Sequence, residues 1–212
     1  MYKNIILILL VIFIFFKKDN FYKNIKVIDK PNKIDVLVNK NNKLDKFYRP
    51  YDLVKISEEC SNKDKYLRIE AKVNYEIMCK KAKQEGYRIM VVSSYRSYFY
   101  QQELYNYYVK KMGLKKTDKA SARPGHSEHQ TGLAIDIEGS NKDYMKFEKS
   151  KEFKWLQNNA YKYGFILRYP KGKEYITGFK YEPWHYRYVG KKIAKIIHNQ
   201  NITLEEYLKT YK

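Results

Sequence analysis

Four histidines occur in the 212 residues, and two of them stand where polar groups interrupt otherwise apolar runs. The first segment is Ser127-Glu128-His129-Gln130-Thr131-Gly132-Leu133-Ala134-Ile135-Asp136, and the second is Glu182-Pro183-Trp184-His185. Two imidazoles and one carboxylate make a sufficient catalytic zinc shell, because a hydrolytic site takes three protein ligands and keeps a position open for water. His129, Asp136 and His185 supply that shell for one Zn2+ ion. Zinc so held lowers the pKa of water from about 16 towards 7. A further group must move protons, and Glu182, three residues before a ligand, is the candidate base. Pro183 removes a backbone donor and restrains residue 182, so this pair is expected on an extended loop or strand end, unlike a helical HExxH pair.

The elements that must position these groups can be read around them. Thr131 to Ile137 alternates, with Leu133, Ile135 and Ile137 on one side and Ala134 and Asp136 on the other, so Asp136 is expected to point away from the apolar face. Tyr87 to Val92 reads as a buried strand, and Phe165 to Tyr169 and His185 to Val189 as further strands. Leu67, Ile69, Val73, Ile77 and Met78 predict an amphipathic helix over 67–85 stopped by Gly86. Tyr98 to Met112 reads as a tyrosine-rich helix stopped by Gly113, followed by a Lys-rich loop to Pro124. Ser150 is the expected N-cap of a helix reaching Tyr163, Lys191 to His198 forms another, and Thr203 to Glu206 has capping-box spacing. Helices and strands mix without regular βαβ alternation, which predicts an α+β fold with a small, mostly antiparallel sheet flanked by helices.

Lysine and arginine total 43 against 23 acids, a formal charge of 43 − 23 = +20. The balance calls for an anionic partner. Lys-rich blocks such as Lys115 to Lys119 are scattered between turns with no nucleic-acid motif, so a membrane surface or polyanionic wall is expected and nucleic acid is not. Ile5 to Phe16 is an unbroken apolar run closed by Lys17 and Lys18, the outline of a secretory h-region with no small-x-small cleavage site after it. Residues 1–18 are therefore expected to be a signal-anchor or signal peptide. Residues 19–50, polar and interrupted by Pro31 and Pro50, read as a stalk with at most a short strand at Ile34 to Val38, and 51–212 as the catalytic domain. Cys60 and Cys79 lack metal-ligand spacing. Outside the cytoplasm they could close a loop worth about 3 kcal/mol, or remain two buried thiols. His126 is assigned to the pocket wall or a loop, His198 to the solvated surface, and Trp155 and Trp184 to core or pocket wall.

The order Ser-x-His-x-x-Gly-x-Ala-x-Asp, then Glu-Pro-Trp-His about fifty residues on, with Ser94-Tyr95-Arg96-Ser97 upstream, resembles the VanY-type D-alanyl-D-alanine carboxypeptidases, part of a wider group of zinc peptidases. The likeness extends through Gln101, Arg123-Pro124-Gly125, Phe165 to Pro170 and Trp184 to Gly190, covering roughly residues 50 to 195. It implies that His129, Asp136 and His185 are the zinc ligands and Glu182 the base. Arg96 would hold the substrate or the developing oxyanion, and Ser127 and Gln101 would bond the terminal D-alanine. A forked, permanently charged donor suits either task of Arg96. The implied activity is removal of the C-terminal D-alanine from peptidoglycan stem peptides by a monomeric enzyme outside the cytoplasm. Neighbouring chemistries are L,D-carboxypeptidase, D,D-dipeptidase or endopeptidase action, and, in another class, a noncatalytic wall-binding module.

Overall fold

The computed structural model describes residues 21–212, so the expected signal-anchor over 1–18 lies outside the described residues. From Phe21 the chain runs through short strands β1 (Lys26–Val27) and β2 (Asn42–Lys43), which pair in parallel. Next come β3 (Leu53–Lys55) and β4 (Tyr66–Arg68), an antiparallel pair that leads into helix α1 (Ile69–Gln84). Strand β5 (Met90–Ser93) follows, then helices α2 (Tyr98–Met112) and α3 (Leu114–Ala120), strand β6 (Ala134–Glu138) and helix α4 (Lys151–Asn159). The chain closes with β7 (Phe165–Leu167), α5 (Glu174–Thr177), β8 (His185–Tyr188), α6 (Lys191–Gln200) and α7 (Leu204–Tyr211). Strands β5, β6, β8 and β7 lie in that order in one sheet, each neighbour antiparallel. This is the expected α+β arrangement. Among the described residues no helix is long and apolar enough to cross a membrane.

The apolar side of β6 builds the main core. Leu133, Ile135 and Ile137 are wholly buried with Val91, Phe165, Tyr186 and Tyr188 of the neighbouring strands. Alternation then forces Asp136 to the other face of the sheet. A second cluster, with Ile166, Val189, Ala194, Ile197, Leu204 and Tyr207, docks α6 and α7. Ser150 and Thr203 cap their helices as expected, Thr203 in a full capping box with Glu206.

Three expectations are corrected. Helix α1 buries Ala71, Tyr75, Met78, Cys79 and Ala82 and leaves Ile69, Val73 and Ile77 about half exposed. Two stripes with the same four-residue spacing compete on this helix, and covalent and polar ties choose between them. Cys79 is disulfide-bonded to Cys60 (Cα–Cα 6.0 Å), and the Tyr75 hydroxyl donates to the carbonyl of Cys60 at 2.9 Å. The Lys-rich stretch after Gly113 is helix α3, not a loop. Its hold is polar, with Asp118 accepting from Tyr105 and from Arg123 and Thr117 bonding the carbonyl of Gly113, so no apolar period announces it.

The third correction concerns the stalk. Residues 21–50 pack onto the domain, with Val36, Val38 and Leu44 in the main core. No strand forms at Ile34 to Val38; instead the backbone there satisfies buried arginines. Asn32 accepts from Arg68 at 2.7 Å, and Ile34 and Val36 accept from Arg187 at 2.9 and 2.8 Å. The Leu44 amide bonds the carbonyl of Gly125, where φ is +83° and a Cβ would lie 3.0 Å from the Leu44 oxygen, so the approach needs glycine.

Candidate active site

Antiparallel pairing sets Ser93, Asp136 and His185 in one row across β5, β6 and β8, with Asp136 opposite both of the others. His129 arrives from the side, on a 3-10 turn over Glu128–Thr131. Gly132 ends that turn in the left-handed region (φ +65°), and a Cβ there would sit 2.7 Å from Leu53 Cδ2, so only glycine lets the chain swing from His129 into β6. One ligand atom from each of His129, Asp136 and His185 lies within 4.8 Å of the others. Asp136 Oδ1 is 3.0 Å from His185 Nδ1, and Asp136 Oδ2 is 3.4 Å from His129 Nε2. The other nitrogen of His129, Nδ1, is 2.7 Å from the carbonyl of Ser94. A carbonyl can only accept, so Nδ1 carries the proton and Nε2 is the bare donor. The set of two imidazole nitrogens and a carboxylate fits a three-ligand zinc site.

The remaining predicted residues fall around this cluster. Glu182 sits on the turn before β8, not on a helix, with its carboxylate 3.7 Å from His185 Nδ1. Arg96 Nη1 donates to Ser93 Oγ at 2.7 Å and lies 3.7 Å from Asp136, while Nε donates to Gln101 at 3.1 Å. Its Nη2 makes none of these bonds. Arg96 and Ser127 line a cleft of about 960 Å3 together with the three ligands, Glu182, Tyr169 and Trp184. Gln101 does not line it. Expected to bond the substrate, Gln101 is buried behind Arg96, and its amide nitrogen donates to the carbonyl of Ala122 at 2.8 Å. It braces the arginine against the cleft wall. His126 bonds the carbonyl of Asn39 through Nδ1 and meets the Tyr22 ring edge-on, outside the cluster. His198 is exposed and stacks on Tyr161.

Charge in the site is unevenly distributed. Burial pushes Glu182 up to about 7, His185 and Arg96 pulling down and Asp136 and Glu128 pushing up. His129 is lowered to about 4, first by burial and then by Arg96. His185 goes the other way: burial opposes its charge, but Asp136 and Glu128 outweigh it and raise the imidazole to about 9. A base near neutrality beside a cluster of ligands is the arrangement hydrolysis needs.

One residue at the centre was not singled out from the sequence. Glu128, between Ser127 and His129, reads there as a spacer, yet it is fully buried. Its Oε1 accepts from Arg168 Nε at 2.7 Å and from Arg187 Nη1 at 2.8 Å, and its Oε2 lies 3.6 Å from His185 Nε2. Arg168 also forks onto Glu205 of α7 at 2.7 and 2.8 Å. Burial alone would raise Glu128, but the two guanidinium groups hold it well below the usual carboxylate range. The only signal was a charged residue inside an otherwise uncharged stretch.

An antiparallel sheet that carries one histidine and an acid at a cleft, with a second histidine on the adjoining turn and a second carboxylate alongside, fits a metal-dependent hydrolase site. The chain belongs to the VanY D-alanyl-D-alanine carboxypeptidase family, whose model matches residues 64–191. It is 46% identical to the putative carboxypeptidase YodJ of Bacillus subtilis over 89% of this chain and 71% of that protein. The structure of the LdcB LD-carboxypeptidase superposes with a TM-score of 0.83 at 46% identity, covering 89% of this chain and 91% of that one. A vancomycin resistance D,D-pentapeptidase VanY variant, solved in complex with Zn(II), superposes at 0.71 with 34% identity over 82% of this chain and 98% of that one.

Proposed function

We propose that this protein is a zinc carboxypeptidase that releases the terminal D-alanine of peptidoglycan stem peptides. The observation that carries this reading is the convergence of His129, Asp136 and His185 with Glu182 beside them in one open cleft. A single zinc ion held by the three ligands would supply a Lewis acid for the scissile carbonyl and an acidified water. The residues do the rest. Glu182, whose carboxylate lies beside the ligand His185, takes a proton from water and returns it to the leaving amine. Arg96, braced by Ser93 and Gln101, presents Nη2 to the terminal carboxylate or the developing oxyanion, and Ser127 on the cleft wall bonds the last residue.

Two bonds suit this site. The family assignment supports D,D-cleavage of pentapeptides, and the 46% identity with LdcB favours the L,D-bond of tetrapeptides. Mass spectrometry of products from the defined tetra- and pentapeptides separates them. Zinc-dependent alanine release that falls by about 10²–10⁴ in Glu182→Gln is the expected result; release that survives a chelator or that substitution would overturn the proposal. The enzyme is read as a monomer acting outside the cytoplasm, tethered by residues 1–18 or secreted. The Cys60–Cys79 disulfide supports an oxidising compartment, and the charge of +20 suits an anionic wall or membrane surface.

A further inference from the structure

Among the described residues five buried side-chain polar atoms have no hydrogen bond, and two of them face each other: Glu128 Oε2 and His185 Nε2, 3.6 Å apart. Leaving such atoms orphaned is costly, so their opposition needs a reason. The reason lies across the ring. His185 Nδ1 is the nitrogen turned to Asp136, at 3.0 Å, and therefore the one that can join His129 Nε2 in holding a metal. A ligating nitrogen must be bare, which leaves the ring proton on Nε2, and the acceptor waiting there is Glu128. His129 meets the same requirement with a backbone carbonyl, that of Ser94.

We propose that Glu128 is a positioning residue for metal binding: its Oε2 is the acceptor for the N–H at Nε2 of His185, which keeps the proton on Nε2 and so fixes the tautomer that turns a bare Nδ1 to the metal. The carboxylate is itself fixed by two arginines. Arg168 reaches it from β7's end and is gripped by Glu205 of α7, while Arg187 of β8 is gripped by the carbonyls of Ile34 and Val36. Residues 34, 36 and 205 lie outside the segment matched by the family model, 64–191. The metal ligand His185 is thus braced by both flanks of the catalytic region.

The proposal rests on the reading that His129, Asp136 and His185 hold zinc, and the two can fail separately. Glu128→Gln keeps an oxygen for the two arginines but can present an amide N–H to His185 Nε2, which then has to accept, so the proton moves to Nδ1. Zinc affinity, measured against a chromophoric chelator with circular dichroism to confirm folding, is expected to fall 10–100-fold. Folded Glu128→Gln that binds zinc as tightly as the unaltered protein overturns the positioning role and leaves the zinc site standing. An unaltered protein that binds no zinc removes both. Should that variant not fold, Glu128→Asp decides, since it keeps the charge for the arginines and draws the oxygen back from His185: a folded protein with zinc affinity lowered at least 10-fold is expected, and unchanged affinity overturns the proposal.

Discussion

The two imidazoles of the cluster are equally buried but differently supported. His129 leans on a backbone carbonyl fixed by β5's end, and its neighbour Arg96 is tied by two neutral groups, Ser93 and Gln101. His185 leans towards a lattice of four charges, Glu128, Arg168, Arg187 and Glu205, whose outermost grips come from residues 34, 36 and 205. The first kind of support stays between residues 93 and 129. The second reaches from residue 34 to residue 205 and draws on both terminal regions. One cluster thus rests on two supports of very different reach.

The comparison can be broken hardest at Glu128. Replacing it with Ala leaves two guanidinium groups buried without their shared partner, and urea unfolding is expected to show a loss of about 3–5 kcal/mol. An equal loss from Gln101→Ala would erase the contrast. Cys60→Ala, which removes the tie behind α1 rather than either histidine support, is expected to cost about 3 kcal/mol while leaving zinc affinity within a factor of two. Glu205→Gln removes the charge from one fork and is expected to cost about 1.5–3 kcal/mol by the same unfolding measurement. The mildest probe is pH. Glu128, Asp118 and Glu152 all titrate below their ordinary values in the folded state. Such groups bind protons more readily when unfolded, so their contribution is present above the unfolded pKa of about 4 and is lost as pH falls below it. The melting temperature is expected to drop on acidification through pH 4, less steeply in Glu152→Gln; a flat profile would contradict the assignment.

These two supports also differ in how far they could be read beforehand. Alternation around Leu133, Ile135 and Ile137 turned Asp136 away from the apolar face, and the Glu-Pro-Trp-His run kept Glu182 off a helix and on a loop or strand end, because period-two patterning and proline chemistry are local. Asp136 and His185 came together through the strand register that joins β6 to β8, and His129 joined them from the turn before β6. Long-range pairing left no such trace. The stalk reading of residues 19–50 followed composition, but polar residues there hide Val36, Val38 and Leu44 and serve the arginines with main-chain oxygens, which carry no residue code. On α1 two stripes of equal spacing were present, and the buried one could be told only from the partner cysteine. Gln101, which the resemblance sets at the substrate, lies behind Arg96 and bonds it and the carbonyl of Ala122, since a resemblance transfers position more readily than the way a side chain faces.

Arg187 carries a practical corollary. Two of its hydrogen bonds, both from Nη2, end on the carbonyls of residues 34 and 36, so a shortened version beginning at residue 51, where composition would tempt one to cut, would leave that nitrogen without either acceptor in the interior. A self-standing piece is expected to start ahead of residue 34.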